Sequence, residues 1–417
     1  MTSLRVQFEE HLVGTATARE DRFLFAYSQE WLRWTKAFPL SASLPLRQAP
    51  WPEERAHVFF ANLLPEGVAR DAVCRRLGLS SENDVALLRA LGNDTAGAFR
   101  FVATDVEPSD RGARDRVLIS SAELESWSTG EPALPAALEN APRLSLAGAQ
   151  HKVAVVETDG GYALGARGEA STHILKFDAH RFPHLSANEF LTNRFARALG
   201  LKVCHVELNT TRARPFLVVR RYDREERDGD VKRLHQEDFC QIFGLSPRRK
   251  YEGEGGVSLR QIADAVRQLS SRPAADLLEL FRWSIFCAVS GNADGHAKNL
   301  SILYDESGPI LAPFYDLVCT RAFDGLHPDL AFAIGEERNP DRLHRHHFHD
   351  LARAFGIRPR LADRELDRQL EGADTAFARA AEELREAVDF TPALERVQRA
   401  VQKRLRAIQN NIDQDDA

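Results

Sequence analysis

The sequence is poor in cysteine, and its cysteines are not paired along the chain. The 417 residues contain five cysteines with no C-x-x-C pair, a pattern typical of reduced core residues in a cytosolic protein. No apolar run is long enough to cross a bilayer, and the N-terminus lacks the basic-then-apolar pattern of a secretory signal. We therefore expect a cytoplasmic protein with no membrane partner.

Low-complexity segments and internal repeats are also absent. Proline and glycine are at ordinary levels, 43% of the residues are hydrophobic and 28% are charged, as in a folded protein with a large core. The formal net charge of -6 argues against nucleic acid as a direct substrate, although local basic patches are compatible with it.

The common glycine motifs for phosphate binding, G-x-G-x-x-G and G-x-x-x-x-G-K-[ST], are missing as well. Residues 145–152 read SLAGAQHK and precede a predicted strand. Small residues let backbone amides approach phosphate oxygens closely, and Lys152 adds a positive charge. A plain surface loop is the alternative for this segment.

The most informative motif is NADGHAKN, residues 292–299, followed by PFYD, residues 313–316. Asp294 stands five residues before Asn299, the interval between the Asp and Asn of the protein-kinase catalytic loop. Phosphoryl transfer requires a carboxylate that accepts the proton of the attacking hydroxyl, and an amide and a second carboxylate that hold magnesium. Asp294, Asn299 and Asp316 can supply these three groups. A polar turn without function is the alternative for this spacing alone.

The surrounding pattern predicts two lobes with nucleotide between them. Residues 152–224 are rich in short strands with one helix, for which Ser186 is the expected N-cap and Glu189 the third residue of a capping box. Beyond about residue 240 the chain is mainly helical, with an apolar helix at 273–290 and a hairpin that carries Asn299 and Asp316 to the same side.

Two further segments are candidates for nucleotide contact. Lys176 lies inside an apolar strand, where it either binds phosphates or sits on an exposed face, and Glu189 either pairs with it or caps its own helix. Residues 234–240 stand where strands give way to helices, so they are placed to act as a hinge that presents backbone groups to adenine. Their acidic side chains could equally cap the next helix.

Two charged segments carry weaker signals. His344, His346, His347 and His349 form a cluster that is compatible with zinc, but without neighbouring cysteine a solvated helix face is favoured. The basic run 247–250, beside a glycine-rich stretch, is compatible with an acidic substrate or with tRNA, and a mobile solvated loop is favoured.

Taken together, the motifs resemble those of HipA-type serine/threonine kinases, the toxins of bacterial type II toxin–antitoxin systems, over nearly the whole chain. The shared segments are FFANLLPEG (59–67), LGNDTAGAF (91–99), SLAGAQHK (145–152), STHILK (171–176), LHQEDFCQIFGL (234–245), NADGHAKN and PFYD. Leu146 and His151 depart from the family, in which valine and an acidic residue are common at these positions.

The resemblance implies ATP and Mg2+ as cofactors and assigns roles to individual residues. Asp294 is implied as the catalytic base, Asn299 and Asp316 as magnesium ligands, and Ser145 as a self-phosphorylated residue whose modification switches the enzyme off. The implied ATP-binding residues are Ala147, Gly148, Ala149, Gln150, His151, Lys152, Lys176, Glu237, Asp238, Phe239, His296, Lys298, Asn299, Tyr315 and Asp316.

The resemblance also implies partners: a helix-turn-helix antitoxin similar to HipB, operator DNA bound mainly through that antitoxin, and a protein substrate such as an aminoacyl-tRNA synthetase, glutamyl-tRNA synthetase first. A small-molecule phosphotransferase and a catalytically idle co-repressor are the alternatives. The Ser145 loop and the N-terminal residues disfavour the first of these, and the intact Asp294, Asn299 and Asp316 disfavour the second.

The expected fold class is α+β, with a two-lobed protein-kinase-like arrangement similar to HipA. It comprises a β-rich N-terminal lobe, a small added N-terminal subdomain and an all-helical C-terminal lobe. The corresponding domains are 1–105 for the subdomain that couples to the antitoxin, 106–240 for the β-rich lobe with the phosphate-binding loop, and 241–417 for the helical lobe with the catalytic loop.

Overall fold

The chain forms two compact units in a computed structural model, which describes residues 2–105, 116–129, 151–166, 168–178, 181–212, 214–227, 229–388 and 392–415. The first unit comprises Met1–Phe177, Thr211–Ala213 and Val219–Arg248, and the second comprises Asp178–Thr210, Arg214–Val218 and Arg249–Ala417. The predicted division into three domains stays a prediction beside this grouping.

Strands and helices alternate along most of the described chain. The strands are β1 Ser3–Phe8, β2 His11–Arg19, β3 Arg22–Tyr27, β4 Arg100–Ala103, β5 Val117–Leu118, β6 His151–Thr158, β7 Gly161–Leu164, β8 His173–Phe177, β9 Val206–Thr210, β10 Pro215–Arg220, β11 Arg224–Arg227, β12 Asp230–Arg233, β13 His235–Asp238, β14 Ser301–Asp305 and β15 Gly308–Leu311. The helices are α1 Gln29–Arg33, α2 Glu53–Asn62, α3 Gly67–Leu77, α4 Asp84–Leu91, α5 Ser121–Thr129, α6 Leu185–Ala198, α7 Phe239–Phe243, α8 Leu259–Leu269, α9 Pro273–Ser290, α10 Arg345–Ala354, α11 Pro359–Ala387 and α12 Pro392–Asp415.

The first unit begins with an antiparallel sheet in the order β3-β2-β1-β4. Strand β3 shows why the sheet forms here, because Phe23, Phe25 and Tyr27 alternate with less buried residues and point into the core. Phe60 of α2 packs on Phe23, with 5.0 Å between the ring centroids. Aromatic packing on one sheet face therefore builds the core of the N-terminal residues.

A second antiparallel arrangement in the first unit joins β5, β7, β6 and β8 in that order. The predicted strands at 153–156 and 173–177 are confirmed as β6 and β8. Lys152 and Lys176 are directly opposite each other in the β6–β8 register. Their side chains consequently leave the sheet on the same face.

A buried ionic cluster, formed by Asp94, Arg221, Asp223, Arg224 and Arg233, ties the N-terminal residues to the later strands of the first unit. Arg221 donates from Nε and Nη2 to the two carboxylate oxygens of Asp223, at 2.9 and 2.7 Å. Arg233 and Arg224 donate to Asp94 Oδ1 at 2.7 and 3.1 Å. Charges this far from water are stable only when they are paired and hydrogen-bonded.

The second unit contains a helix whose predicted cap is wrong. Helix α6 begins at Leu185, so Ser186 lies inside the helix and not at its N-cap. The carboxylate of Asp178 accepts from the backbone N–H groups of His184 and Ser186, at 2.6 and 2.8 Å. The Asp178 side chain thus accepts the hydrogen bonds of unpaired backbone N–H groups at the start of α6, a role that was expected of Ser186.

The predicted apolar helix is confirmed as α9, Pro273–Ser290. Thirteen of its residues, from Asp276 to Ser290, are buried, so apolar side chains surround it on more than one side. Proline at its first turn and Gly291, whose φ of 70° allows the left-handed cap, set its two ends. This helix is central to the second unit and delivers the chain to residue 292.

The predicted hairpin is also confirmed, and it corrects the expectation of an all-helical C-terminal lobe. Strands β14 and β15 pair antiparallel from Ile302–Leu311 to Asp305–Gly308 within the second unit. The turn forms because Asp305 Oδ1 accepts from the N–H of Ser307 at 2.7 Å and Gly308 has a φ of 106°. Helices α11 and α12 then each bury an apolar face.

Candidate active site

The catalytic-loop candidate starts where α9 ends. Thr320 Oγ1 donates to the carbonyl of Gly291 and accepts from the N–H of Ala293, both at 2.9 Å. Gly295 lies against the central helix, because a Cβ added there would stand 2.8 Å from Trp283 Cζ2 and 3.3 Å from Cys287 Sγ. Only glycine lets the loop pass this close to α9.

Hydrogen bonds to the backbone of Asp294 close the loop between Asp294 and Asn299 into a ring. Asn299 donates from Nδ2 to the backbone carbonyl of Asp294 at 2.8 Å, and His296 donates its N–H to the same carbonyl at 2.9 Å. Asn292 Oδ1 accepts from the N–H of Asp294 at 3.1 Å. The sequence interval therefore corresponds to a loop of defined geometry, and its catalytic role stays a prediction.

This ring fixes which atom Asn299 can offer to a metal ion. Its amide nitrogen is used by the Asp294 carbonyl, so Oδ1 is the atom available for coordination. Asp316 supplies a carboxylate after the hairpin, and its φ of 52° places it in the left-handed region. Aspartate is among the non-glycine residues that adopt this conformation most often. Residues in this conformation occur frequently at functional sites. Amide and carboxylate oxygens fit Mg2+, which prefers hard oxygen ligands.

Tyr315 links the segment that carries Asp316 to the segment that carries Asn299. Its hydroxyl donates to the carbonyl of Lys298 at 2.7 Å and shares a 2.7 Å hydrogen bond with Ser301 Oγ. The residue that precedes Asp316 is thereby bonded to the residue that precedes Asn299. Residues 298 and 315 are therefore neighbours, while the predicted metal-binding roles of Asn299 and Asp316 and the predicted ATP contact of Tyr315 stay predictions.

The carboxylate of Asp294 is accessible, as a catalytic base requires. Its side chain is 52% exposed. Oδ1 accepts a hydrogen bond from the hydroxyl of Tyr251 and lies 3.8 Å from Nε2 of His296. The carboxylate is thus partly open to solvent, and its role as catalytic base stays a prediction.

Tyr251 is a site residue that the sequence reasoning missed. It follows the basic run 247–250, in which Arg248 and Arg249 are exposed, as expected of a solvated segment. The backbone carbonyl of Lys250 accepts from the N–H of Ala297 at 3.1 Å, and the Glu252 carboxylate accepts from the N–H of Ala333 at 2.6 Å. A tyrosine between two anchored residues offered no recognisable signal in the sequence.

The candidates of the first unit form a separate set. Lys176 is 3% exposed, so the expectation of an exposed-face lysine is wrong. Lys152 lies opposite it on β6. Phosphate binding stays a prediction for both lysines.

The predicted hinge residues have defined structural roles. The carboxylate of Glu237 is buried and accepts from the N–H of Ala42 at 3.2 and 3.0 Å. Asp238 caps α7 in a capping box with Gln241, so the capping alternative is correct for this residue. Phe239 is fully buried. Any contact of this segment with adenine is consequently left to backbone groups.

The remaining predicted site residues are placed as follows. Ser145, Ala147, Gly148, Ala149 and Gln150 lie outside the described residues, and only the backbone of His151 is described, in β6. His296 and Lys298 are 5% and 8% exposed within the catalytic loop. Glu189 is 2% exposed, inside α6. Their contacts with nucleotide stay predictions.

The histidine cluster connects helices of the second unit. His344 lies 3.0 Å from an oxygen of Asp415, and His349 Nε2 lies 2.7 Å from Asp363 Oδ1. Burial alone would raise the pKa of Asp363, but hydrogen bonds from His349 and Arg345 lower it below the ordinary value. Within the described ranges, no group of three or more His, Cys, Asp or Glu side chains is arranged to hold a metal ion.

Two general findings bear on the predicted class. All five cysteines are free and buried, as expected. In the part of the chain that the structure describes, no helix combines the length and apolar character needed to cross a membrane.

Comparison with known proteins identifies the family of the chain. Residues 4–102 match the family described as HipA N-terminal domain, and residues 144–377 match the HipA-like C-terminal domain. A putative kinase of Sinorhizobium fredii, Y4mE, is 41% identical over 91% of this chain and 92% of its own length. The serine/threonine-protein kinase toxin HipA of Shewanella oneidensis is 32% identical over 82% of this chain and 81% of its own length.

A solved structure agrees with these relatives. The Shewanella oneidensis HipA, determined in a complex with HipB and operator DNA, matches with a TM-score of 0.83 and 28% identity over 99% of this chain and 98% of the other. The match confirms the expected α+β fold of the kinase-like HipA type. The chain belongs to the HipA family of serine/threonine kinase toxins.

Proposed function

We propose that this protein is an ATP- and Mg2+-dependent kinase that phosphorylates a serine or threonine of another protein. The observation that carries the proposal is the closed loop between Asp294 and Asn299, with an exposed carboxylate at one end and an oriented amide oxygen at the other. Asp316 follows the hairpin that begins beside this loop. The kinase names of the relatives support the same chemistry.

The residues divide the reaction between them. Asp294 would orient the acceptor hydroxyl and take its proton through Oδ2 while the γ-phosphoryl group passes from ATP to the hydroxyl oxygen and ADP leaves. Asn299 and Asp316 would hold magnesium through oxygen atoms, and the ion would offset the charge that develops on the phosphoryl oxygens. Lys152 and Lys176 bind phosphate oxygens from their shared face of the sheet.

The biological role that we propose is that of a toxin held by an antitoxin. The Shewanella oneidensis relative forms a complex with HipB and operator DNA, and this chain matches the HipA N-terminal domain over residues 4–102. We therefore propose a helix-turn-helix antitoxin as partner, with operator DNA bound mainly through it. The net charge of -6 is consistent with indirect DNA binding.

The proposed substrate is a component of translation, an aminoacyl-tRNA synthetase and glutamyl-tRNA synthetase first. Phosphorylation of such an enzyme would arrest growth. The proposed control is phosphorylation of Ser145 by the kinase itself, because a group with nearly two negative charges beside the nucleotide phosphates opposes ATP binding.

Incubation of the purified protein with labelled ATP and magnesium, followed by mapping of the phosphate, tests this proposal. We expect label on Ser145, and D294N should lower the transfer rate about 100- to 10,000-fold, the range for loss of a general base. D374N, an aspartate exposed on α11, is the matched control and should retain the rate. Absence of nucleotide binding and of transfer by the unaltered protein would overturn the proposal.

A further inference from the structure

The contact between Tyr251 and Asp294 is not accounted for by the roles given above. The phenol hydroxyl of Tyr251 donates to Oδ1 of Asp294. Tyr251 lies 43 positions from Asp294 in sequence, so the tertiary fold and not the loop itself brings the two together. A carboxylate that is half exposed can rotate unless a neighbour fixes one of its oxygens.

The backbone around Tyr251 is bonded to the catalytic loop. The carbonyl of Lys250 accepts from the N–H of Ala297 at 3.1 Å. The ring of Tyr251 meets the ring of His296 edge-on, with centroids 5.1 Å apart and an interplanar angle of 84°. Tyr251 therefore approaches Asp294 from a fixed position beside the loop.

The other side of Tyr251 is anchored to a different segment, residues 331–333. Glu252 donates its N–H to the carbonyl of Ala331 at 3.2 Å, and its Oε2 accepts from the N–H of Ala333 at 2.6 Å. Burial raises the pKa of the Glu252 carboxyl above its ordinary value, although the Ala333 hydrogen bond opposes the shift. The partly desolvated Glu252 carboxylate thus links the segment that contains Tyr251 to residues 331–333 through a charge-assisted hydrogen bond.

The turn that follows Glu252 packs closely on the backbone of Arg249 and Tyr251, which restricts the movement of Tyr251 and Glu252. Gly256 donates to the carbonyl of Tyr251 at 2.9 Å. A Cβ on Gly256 would stand 2.5 Å from the carbonyl oxygen of Arg249 and 2.6 Å from that of Tyr251. Displacement of residues 331–333 would consequently be transmitted to Tyr251.

We infer that Tyr251 is a positioning residue for the catalytic base, and that Glu252 couples its position to residues 331–333. Tyr251 holds Oδ1 of Asp294, which leaves Oδ2 directed at the acceptor hydroxyl. The inference rests on the proposed kinase function and adds a point of control to it. Anything that pulls residues 331–333 away, such as a bound protein, would release the base without touching the nucleotide.

The separation of kcat from KM distinguishes positioning from a general structural role. We expect Y251F to lower kcat about 10- to 100-fold, as for a misplaced catalytic group, with the KM for ATP, the Kd of a fluorescent ATP analogue and the midpoint of thermal unfolding unchanged. Y304F, on hairpin strand β14, is the matched tyrosine control and should retain kcat.

Two further variants test the path of the effect. E252A should lower kcat to a similar extent, whereas E252Q, which keeps an oxygen acceptor for the Ala333 N–H, should retain most of it. Because Tyr251 acts through Asp294, adding Y251F to D294N should not lower the residual rate further.

The outcomes separate this inference from the proposed function. Phosphoryl transfer by the unaltered protein with equal kcat in Y251F would overturn the inference and leave the kinase proposal intact. Equal losses in kcat, ATP binding and thermal stability would reduce Tyr251 to a structural residue. If the unaltered protein transfers no phosphate, both proposals are wrong.

Discussion

The two units place their polar groups in opposite ways. In the first unit, the side chains of Arg221 and Asp223 are 2% and 4% exposed and pair through two hydrogen bonds. In the second unit, the Asp294 side chain is 52% exposed, and hydrogen bonds between asparagine side chains and the backbone hold the loop around it. The first arrangement pairs its charges internally, whereas the second leaves a carboxylate partly open to solvent.

A buried charge therefore needs different support from a charge that is proposed to react with substrate. Burial alone would raise the pKa of Asp223, but Arg221 and Arg224 lower it to about 2. Burial and the neighbouring Arg221 lower the pKa of Arg224 to about 10, because three guanidinium groups face two carboxylates. Such a cluster joins Asp94 and Gly97 to Arg221, Asp223, Arg224 and Arg233, and its charges are used in these pairs.

The largest expected effect comes from breaking the cluster. R221M leaves Asp223 without its bidentate partner in a buried site, which should destabilise the first unit by about 3–5 kcal/mol. Four of the five tryptophans, at 31, 34, 51 and 127, lie in this unit, so tryptophan fluorescence during urea unfolding measures the loss. R353M, whose side chain is 79% exposed in its pair with Asp350, is the control and should unfold like the unaltered protein. An unchanged midpoint for R221M would contradict a stabilising role of the cluster.

A smaller effect is expected from crowding the catalytic loop. In G295A the added methyl group would press on Trp283 and Cys287, which should cost about 1–3 kcal/mol in stability and lower kcat by misplacing Asp294. G160A is the control, since nothing lies within 4 Å of the added Cβ at that position. The initial rate of phosphoryl transfer is the measurement, and a rate equal to that of G160A would show that the loop tolerates the shift.

An effect of similar size to that of G295A is expected from acidity, and it concerns the first unit alone. Asp223 has a pKa lowered from 3.8 to about 2 by its arginine partners despite burial, so the unfolded chain takes up this proton first. The contribution, about 2 kcal/mol, is complete above about pH 5 and is lost as the pH falls toward 2. Urea unfolding between pH 3 and pH 7, followed by tryptophan fluorescence, should show this decline. A shallower decline is expected in R221M, and an equally steep one would contradict the assignment to this pair.

Local patterns along the chain were sufficient for several elements near the site. The helix Pro273–Ser290 was predicted from its apolar run, first-turn proline and terminal glycine, and the hairpin from its alternation and turn residues. The interval between Asp294 and Asn299 indicated the loop. These succeed because helix ends, turns and short loops are determined by neighbouring residues.

Features that depend on distant residues were not predictable in the same way. Ser186 was expected to cap α6, but Asp178 does so from six and eight residues away. Tyr251 reaches Asp294 across 43 positions. The sequence motif LGNDTAGAF was recognised, yet nothing in it indicated that Asp94 would meet three arginines from residues 221–233.

Residue types and short spacings were enough to predict the family and the loop from Asp294 to Asn299. The packing of the chain was needed to show that Lys176 is buried opposite Lys152, that Glu237 bonds to Ala42, and that Tyr251 bonds to Asp294. Burial and hydrogen-bond partners depend on which distant segments pack together, and a linear pattern of residues does not specify that packing.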